Sequence, residues 1–269
     1  MAPCVLPDGL VQLWLLPRDE DRLRHQCATG LRLLSDDERA RVEASANAVV
    51  ARRFLLGRVL MRRALAAHLG ADPASLVIAM DPLGRPWLLE PAAPGLAFNL
   101  SHSGRDQVLA LAQCERLGVD LEPIDRAAPM RQIAEAFYSV PERRQIARQG
   151  DHAAARALQL WTVKEAVVKA MGWSVWAGLR GVRCAIDAGR LKWLVPLPEG
   201  GEAAWSLALG RLRRDHWLAF ALKWPVGPAP NLGVDCRVVD GTGHEEGDGA
   251  TPFALQFSSR AVRPRSSAG

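Results

Sequence analysis

The sequence predicts an α+β protein made of two similar halves, each combining a long helix with a small, mainly antiparallel sheet. Residues 49–70 have the pattern of an amphipathic helix that Gly70 ends, and a second helix is predicted from about residue 154 to Gly172. Short apolar runs separated by Gly, Pro and charged turns follow each helix, as is typical of antiparallel strands. The second half thus repeats the order of elements in the first, although the two halves show no self-similarity of sequence.

Composition indicates a soluble globular protein, because 49% of the 269 residues are hydrophobic and 23% are charged. No apolar run approaches the roughly 20 residues that span a bilayer, and the first ten residues lack the pattern of a signal peptide. We therefore expect a cytoplasmic protein with no membrane association. The five cysteines show no CxxC spacing, which argues against a disulfide framework or a zinc site.

The first half begins with a predicted strand at residues 11–17. Ser35 and Glu38 have the spacing of a capping box and predict the start of a helix. The long helix of residues 49–70 follows, and its polar side is rich in arginine: Arg52, Arg53, Arg58, Arg62 and Arg63. Such a side is either a solvated face or an edge that binds phosphate.

Strands are next predicted at residues 76–80 and 85–88, around a turn at residues 81–84. The run 96–112 then reads as two strands joined by the polar turn Ser101-His102-Ser103-Gly104. A histidine and two hydroxyls at a strand end can bind an oxyanion. The same residues also suit the polar tip of an ordinary hairpin.

The run RLGVDLEPI, residues 116–124, is a predicted strand in which Asp120 and Glu122 lie on one face. Two neighbouring carboxylates repel unless a cation offsets their charge, and a hard divalent ion such as magnesium takes oxygen ligands of this kind. Gly118, just before them, allows another backbone to approach closely. The alternative is a strand edge exposed to water.

Helical segments follow, interrupted near Ser139-Val140-Pro141-Glu142, and the run WTVKEAVVKAMG ends the second long helix. Glu165 and Lys169 are one turn apart on the same face, with Lys164 about 100° away. Alone, Glu165 and Lys169 would be an ordinary stabilising pair on a solvated helix. Four strands are predicted after this helix, at residues 182–189, 190–197, 204–212 and 216–224.

From residue 225 the chain becomes rich in Pro and Gly, then acidic, and finally basic. We predict a disordered extension for residues 225–269. The domains expected from the sequence are therefore an N-terminal half at residues 1–115, a C-terminal half at residues 116–224, and this tail.

Three motifs in fixed order carry a family resemblance: FNLSHS at residues 98–103, LGVDLE at 117–122 and LWTVKEAVVKAMG at 160–172. They resemble the 4'-phosphopantetheinyl transferases of the long, Sfp-like type. Further matches are RFLLGRVLMRRAL, LGRP and AFYSVPE, and the similarity spans residues 10–224.

The resemblance implies a pseudo-dimer of two α/β halves with the active site in the cleft between them. Members of the family move the phosphopantetheine arm of coenzyme A to a serine of a carrier protein, with magnesium, and release adenosine 3',5'-bisphosphate. It also implies an acidic carrier as partner and a monomeric enzyme, because the pseudo-dimer builds its cleft within one chain. The net charge of +5 agrees with an anionic partner.

Residue roles follow from the same resemblance. Asp120, Glu122 and Glu165 correspond to the acidic residues around magnesium, and Glu165 is the best match for the general base. The positions that match contacts to the coenzyme A phosphates are Ser101, His102, Lys164 and Lys169; His102 and Lys169 are also expected to be catalytic. The positions that match the 3'-phosphate and adenine end are Arg41, Arg53 and Arg85. One departure is the segment of residues 172–179, which is longer than the usual Gly-x-Gly-Leu.

Two other functions stay open at the level of sequence. A coenzyme A-binding module without turnover could keep the same motifs. A nucleic-acid-binding protein that uses the arginine-rich helix and the nine tryptophans would explain the positive charge. It would not explain Asp120 and Glu122, which would repel phosphates in the absence of a metal.

Overall fold

A computed structural model describes residues 6–16, 30–104, 106–195, 204–213, 215–225, 229–238 and 253–259. Its helices are α1 (Asp36–Glu43), α2 (Ala48–Leu69), α3 (Met130–Phe137), α4 (Val140–Ala147), α5 (Ala153–Met171) and α6 (Val175–Gly181). Its strands are β1 (Leu10–Leu16), β2 (Val77–Met80), β3 (Pro86–Glu90), β4 (Leu96–Ser103), β5 (Asp106–Gln113), β6 (Arg116–Pro123), β7 (Cys184–Asp187), β8 (Arg190–Trp193), β9 (Trp205–Leu212), β10 (His216–Lys223), β11 (Gly233–Val238) and β12 (Phe253–Ser258). The α+β class predicted from the sequence is confirmed.

The strands form two main sheets and a separate hairpin. The first sheet has the order β11-β1-β5-β4, the second has the order β6-β10-β9-β12-β8-β7, and β2 pairs with β3. Most neighbours are antiparallel, but β11 runs parallel to β1 and β12 runs parallel to β8. Among the described residues, no helix is both long enough and apolar enough to cross a membrane.

Alternation along the strands divides the core into layers. Leu109 and Leu111 of β5 face α2, whereas Val108 and Ala110 face the other way, into a core shared with β6 and β10. On β10, Leu218 and Phe220 contribute to that shared core, while the alternate residues Trp217, Ala219 and Ala221 face α5. The two sheets therefore pack back to back, with one long helix covering each outer face.

The ends of the helices follow the signals in the sequence. Ser35 and Glu38 form the predicted capping box at the start of α1. Asn47 caps α2 by accepting from the N–H groups of Val49 and Val50. Gly70 ends α2 and Gly172 ends α5, each with φ near +65°, which a residue with a Cβ adopts only with strain.

The arginine-rich side of α2 was predicted to be either a solvated face or an edge that binds phosphate. Neither prediction describes the whole side, because two of its arginines are buried in ion pairs. Arg62 is 1% exposed, and its Nη2 lies 2.8 Å from Glu38 Oε2. The same guanidinium donates to the carbonyls of Pro73 and Leu76. Arg58 is also buried and lies 3.5 Å from Glu38. These two arginines therefore hold α1, and Arg62 also holds the loop after α2, against the α2 helix. Their burial is tolerated because their charges are paired.

The segment of residues 172–179, which departs from the family pattern, forms a turn and most of α6. Gly178 of α6 packs on Val168 of α5, where an added Cβ would come within 2.5 Å of a Val168 methyl. The longer segment is thus accommodated by a short helix lying against the end of α5.

The prediction of a disordered tail is wrong for two segments. Gly233–Val238 forms β11 on the edge of β1, and Phe253–Ser258 forms β12 between β9 and β8. Both strands pair with strands that come from distant parts of the chain, so composition averaged over the tail did not reveal them. β11 also places a strand from beyond residue 224 in the sheet of the first half, so that sheet is not confined to residues 1–115.

Candidate active site at the seam between the two sheets

Polar side chains link β4 of the first sheet to β6 of the second. Asn99 Oδ1 accepts a hydrogen bond of 2.9 Å from the Val119 N–H, and Ser101 Oγ accepts one of 3.2 Å from the Leu121 N–H. Both polar side chains are buried. The spacing of two residues on each strand shows that β4 and β6 run in the same direction along this seam, which fixes the register of β6 against the first half.

Three carboxylates meet beside the seam. Asp120 and Glu122 of β6 and Glu165 of α5 are only 5%, 5% and 7% exposed. Burial, together with the charge of Asp120, raises the pKa of Glu165 to about 7. Burial and the Asp120 charge also raise the pKa of Glu122, although Arg126 and Trp161 oppose that shift. Burial and the neighbouring charge of Asp120 therefore both disfavour the ionised forms of Glu122 and Glu165.

Gly118 explains why α5 and β6 can approach so closely. A Cβ on Gly118 would lie 2.0 Å from the Ala166 carbonyl oxygen and 2.4 Å from the Ala170 nitrogen. Only glycine allows this backbone-to-backbone contact, as expected from the sequence. The contact brings Glu165, next to Ala166 on α5, to the part of β6 that carries Asp120.

Asp120 is held on one side only. Its Oδ1 accepts from Lys169 Nζ at 2.6 Å and from Ser101 Oγ at 3.2 Å. Lys169 also donates to Ser101 Oγ, and since this hydroxyl also accepts from Leu121, its one donor and two acceptor sites are all used. The other oxygen of Asp120, Oδ2, is buried without a hydrogen-bond partner in the described part of the chain.

Two residues of the site were not identified from the sequence. Arg126 donates to both oxygens of Glu122 at 2.7 Å, and Trp161 Nε1 donates to Glu122 Oε1 at 2.8 Å. The signal for Trp161 was its position one turn before Glu165 on the same face of α5. Arg126 lies in a short helical turn after β6, and the sequence gives no pattern that would direct it back towards Glu122.

A cavity of about 570 Å³ opens on the other side of the end of β4. Its lining includes Arg41, Arg53 and His102, three residues that the resemblance assigned to coenzyme A. The guanidinium of Arg41 stacks on the Phe54 ring with its Cζ 4.6 Å from the centroid, and Arg58 lies at 5.1 Å from the same ring. The size and charge of this cavity suit a phosphorylated small molecule.

His102 shares a strand with Ser101 but faces this cavity. Partial desolvation lowers its pKa, and the nearby charges of Arg53 and Lys169 lower it further. Because residues alternate along β4, Ser101 contacts the acidic cluster while His102 lines the basic cavity. The acidic and basic parts of the candidate site therefore lie on opposite faces of β4, at the consecutive residues Ser101 and His102.

Lys164 and Arg85 were expected to contact coenzyme A, but both lie away from the basic cavity and bind other parts of the protein. Lys164 is fully buried, and its Nζ lies 2.9 Å from Glu142 Oε1 and 2.6 Å from the Val182 carbonyl oxygen. Its place on α5, about 100° from Glu165, turns it towards α4. The Arg85 guanidinium donates to backbone carbonyls at the end of α5 and at Leu117 of β6. Neither residue lines the 570 Å³ cavity.

The acidic cluster fits a divalent cation in the chemistry of its donors. Three carboxylates and the unpartnered Asp120 Oδ2 offer hard oxygen ligands, and a cation would offset their repulsion. Among the described residues, no three His, Cys, Asp or Glu side chains are arranged to chelate one ion as they stand. Lys169 and Arg126 occupy oxygens of two of the carboxylates, so binding of a cation requires these pairs to loosen.

Comparison with known proteins agrees with this geometry. Residues 116–221 match the model of the 4'-phosphopantetheinyl transferase superfamily, and residues 21–114 match that of the N-terminal part of a 4'-phosphopantetheinyl transferase. Together the two matches cover β4 and β5 of the first sheet, the helix α5 and the seam.

Individual relatives are named as 4'-phosphopantetheinyl transferases. The protein slr0495 of Synechocystis sp., provisionally a 4'-phosphopantetheinyl transferase, is 30% identical over 218 residues, which are 78% of this chain and 86% of the relative. The 4'-phosphopantetheinyl transferase HetI of Nostoc sp. is 32% identical over 60% of this chain and 68% of its own length. The enzyme of Bacillus subtilis is 32% identical over 56% of this chain and 66% of its own length. The chain therefore belongs to the 4'-phosphopantetheinyl transferase superfamily and is an enzyme of that type.

Proposed function

We propose that the chain transfers 4'-phosphopantetheine from coenzyme A to a serine hydroxyl of an apo carrier protein, in a magnesium-dependent reaction that releases adenosine 3',5'-bisphosphate. The observation that carries this proposal is the juxtaposition at the end of β4. The buried carboxylates with Lys169 lie on one side, and the arginine-lined cavity lies on the other. A pyrophosphate that joins a nucleotide to a long arm needs both environments next to each other.

The magnesium ion would be held by Asp120, Glu122 and Glu165. When bound, it supplies positive charge that offsets both the carboxylates and the pyrophosphate oxygens. The unpartnered Asp120 Oδ2 supports a cation at this place, and so does the raised pKa of Glu165, which results from burial and from the neighbouring charge of Asp120.

The protein's own groups then position the reactants and stabilise charge. In the proposed reaction the serine oxygen forms a bond to the β-phosphorus, and the bond from that phosphorus to the bridging oxygen breaks. The electron pair leaves with adenosine 3',5'-bisphosphate. Lys169, 29% exposed beside Asp120, would donate to the phosphate oxygens where charge develops. His102, at the cavity side of β4, would contact the same phosphates.

Glu165 is the proposed acceptor of the serine proton. Within the described part of the chain its carboxylate makes no hydrogen bond or ion pair, although Asp120, Glu122 and Lys169 act on it electrostatically. A base needs such a free lone pair within reach of the hydroxyl. Asp120 and Glu122 are weaker candidates because Lys169 and Arg126 hold their oxygens.

The basic cavity would take the nucleotide end of coenzyme A. Arg53 and Arg41 lie where a 3'-phosphate could be bound, and Phe54 offers a ring face beside them. The excess of five positive charges over the whole chain suits an acidic carrier protein and would speed their encounter. We propose a monomeric enzyme, because both parts of the site come from one chain. A cytoplasmic location stays a prediction from the sequence.

Incubation with coenzyme A, magnesium chloride and an apo carrier tests the proposal, with the intact carrier measured by mass spectrometry. We expect a mass gain of one phosphopantetheine group, its loss when a chelator replaces magnesium, and adenosine 3',5'-bisphosphate in the small-molecule fraction. An unchanged mass across peptidyl, acyl and aryl carriers would refute it. Coenzyme A binding without any transfer would favour a binding module, and tight magnesium-independent binding of RNA or DNA at physiological salt would favour the nucleic-acid alternative.

A further inference from the structure

We propose that Arg85 is a positioning residue for phosphopantetheinyl transfer, whose guanidinium ties the last turn of α5 to β6 and so fixes Lys169 against Asp120. The sequence resemblance assigned Arg85 to coenzyme A itself. This inference rests on the proposed function, because Arg85 would affect catalysis only by positioning Lys169 against Asp120.

The contacts of Arg85 join two elements with one side chain. Nη1 donates to the carbonyl oxygens of Lys169 at 3.2 Å and Ala170 at 3.1 Å, and Nη2 donates to the Leu117 carbonyl oxygen at 3.1 Å. The last four carbonyls of a helix have no partner within the helix, and a cation there also interacts favourably with the helix dipole. The planar fork of arginine reaches two such acceptors on one side and a strand on the other, which a lysine ammonium does not do in a fixed geometry.

The position of these bonds connects them to the chemistry. One accepting carbonyl belongs to Lys169, whose side chain holds Asp120. Another belongs to Leu117, directly before Gly118, where β6 and α5 come closest. Arg85 therefore sets the distance between the two backbones whose side chains form the ion pair.

The base of Arg85 is itself rigidly held. Asp81 accepts from the Arg85 N–H through Oδ1 at 2.8 Å, and the Asp81 N–H donates to the Arg85 carbonyl oxygen at 2.9 Å. These bonds close the turn between β2 and β3. The two-stranded hairpin thus presents the guanidinium to the seam from a fixed turn, and Arg116 adds a weaker contact of 3.3 Å to the Met171 carbonyl oxygen.

The surroundings of Arg85 are separate from the nucleotide cavity. Arg85 lines a different cavity, of about 870 Å³, together with Trp87, Phe98 and Trp224. Two of the charged residues at its edge are paired: Glu115 lies 2.7 Å from Lys223 and Arg116 lies 3.8 Å from Glu115. This cavity is open enough to admit a small guanidine, which makes chemical rescue of a truncated Arg85 feasible.

The test compares wild type with Arg85→Ala, Arg85→Lys and the matched control Arg190→Ala, which removes an exposed arginine on β8. Transfer is measured well below each melting temperature. We expect Arg190→Ala to match wild type and Arg85→Ala to lower kcat about 10- to 100-fold, with a much smaller change in KM for coenzyme A. Arg85→Lys should also lower kcat, and it provides the measurement if the alanine variant does not fold.

Ethylguanidine at millimolar concentration should restore part of the kcat of Arg85→Ala, whereas ethylamine should not. A lower melting temperature with unchanged kcat would show a merely structural role and overturn the proposal. A raised KM for coenzyme A with unchanged kcat would overturn it in favour of a direct phosphate contact. If wild type and Arg190→Ala transfer nothing, the proposed function fails and this inference fails with it. Normal transfer by wild type and by both Arg85 variants refutes the positioning role alone.

Discussion

Lys169 Nζ of α5 lies 2.6 Å from Asp120 Oδ1 of β6, and the same ammonium donates to Ser101 Oγ of β4. One side chain from the second half therefore contacts both strands of the seam. This ion pair, 29% exposed on the lysine side and 7% on the aspartate side, lies where the two halves meet. Its position explains why the candidate chemistry depends on all three motifs of the sequence.

We expect Lys169→Ala to lower kcat by about 10²-fold or more, because it removes the donor proposed for the transferring phosphate. Single-turnover transfer to a carrier measures this effect. Lys192→Ala is the matched control, since that lysine forms an exposed pair with Asp187, and such surface pairs contribute little to stability. Equal rates for the two variants would contradict the assignment of Lys169.

Glu165→Gln should abolish transfer yet stabilise the metal-free protein at neutral and alkaline pH. The folded-state pKa of Glu165 is about 7, above its ordinary 4.5, so the folded state binds more protons than the unfolded state between these values. Wild type therefore loses stability as pH rises from about 4.5 to 7, by on the order of 1–3 kcal/mol, and the glutamine variant does not.

Urea unfolding with a chelator at pH 5, 6, 7 and 8 measures this difference. The stability advantage of Glu165→Gln should grow through the window and level off above pH 7. Added magnesium should stabilise wild type more than the variant. A pH-independent difference between the two proteins would refute the account.

Coenzyme A binding should take up a proton at His102. Burial and the charges of Arg53 and Lys169 lower its pKa in the free protein, so the ring is neutral at pH 7. A phosphate beside it favours the charged form and raises the pKa in the complex. Affinity should therefore increase as pH falls towards the lowered pKa, which calorimetry in buffers of different ionisation enthalpy would show. His102→Gln should bind coenzyme A without that His-dependent proton uptake; unchanged uptake would exclude His102 as its source.

Gly118→Ala should destabilise the protein severely, by several kcal/mol, because the new Cβ would lie 2.0 Å from a backbone oxygen of α5. Gly181→Ala is the control: it lies in α6, and among the described residues its added Cβ would meet just the Trp173 ring, at an ordinary contact distance of 3.6 Å. That substitution should be neutral or stabilising, by up to about 1 kcal/mol. Thermal unfolding compares the two, and a mild effect at Gly118 would show that α5 and β6 can separate without loss of the fold.

Lys164→Met should destabilise the protein by about 3–5 kcal/mol, since it leaves the fully buried Glu142 without its cationic partner. Adding Glu142→Gln should recover part of this loss, because glutamine keeps hydrogen-bonding capacity without the charge. The double variant, once folded, should bind coenzyme A with unchanged affinity. A clear loss of affinity would restore Lys164 to the list of phosphate contacts.

Local signals in the sequence predicted much of the fold. The capping box at Ser35 and the glycines that end α2 and α5 act within one or two turns, so they could be identified without knowing the tertiary contacts. β11 and β12 were missed because they pair with strands formed by residues far away in the chain. Their own sequences are ordinary extended segments.

The site divides in the same way. Alternation on β6 and helical spacing on α5 determined that Asp120 and Glu122 share a face and that Glu165 and Lys169 share another, because these relations depend only on local geometry. Only the tertiary structure decided which partners they meet. Lys169 contacts Asp120 instead of Glu165, Lys164 is buried against Glu142, and Arg85 binds the end of α5. Long side chains reach across elements, and their partners are set by packing between distant segments, which no local pattern encodes.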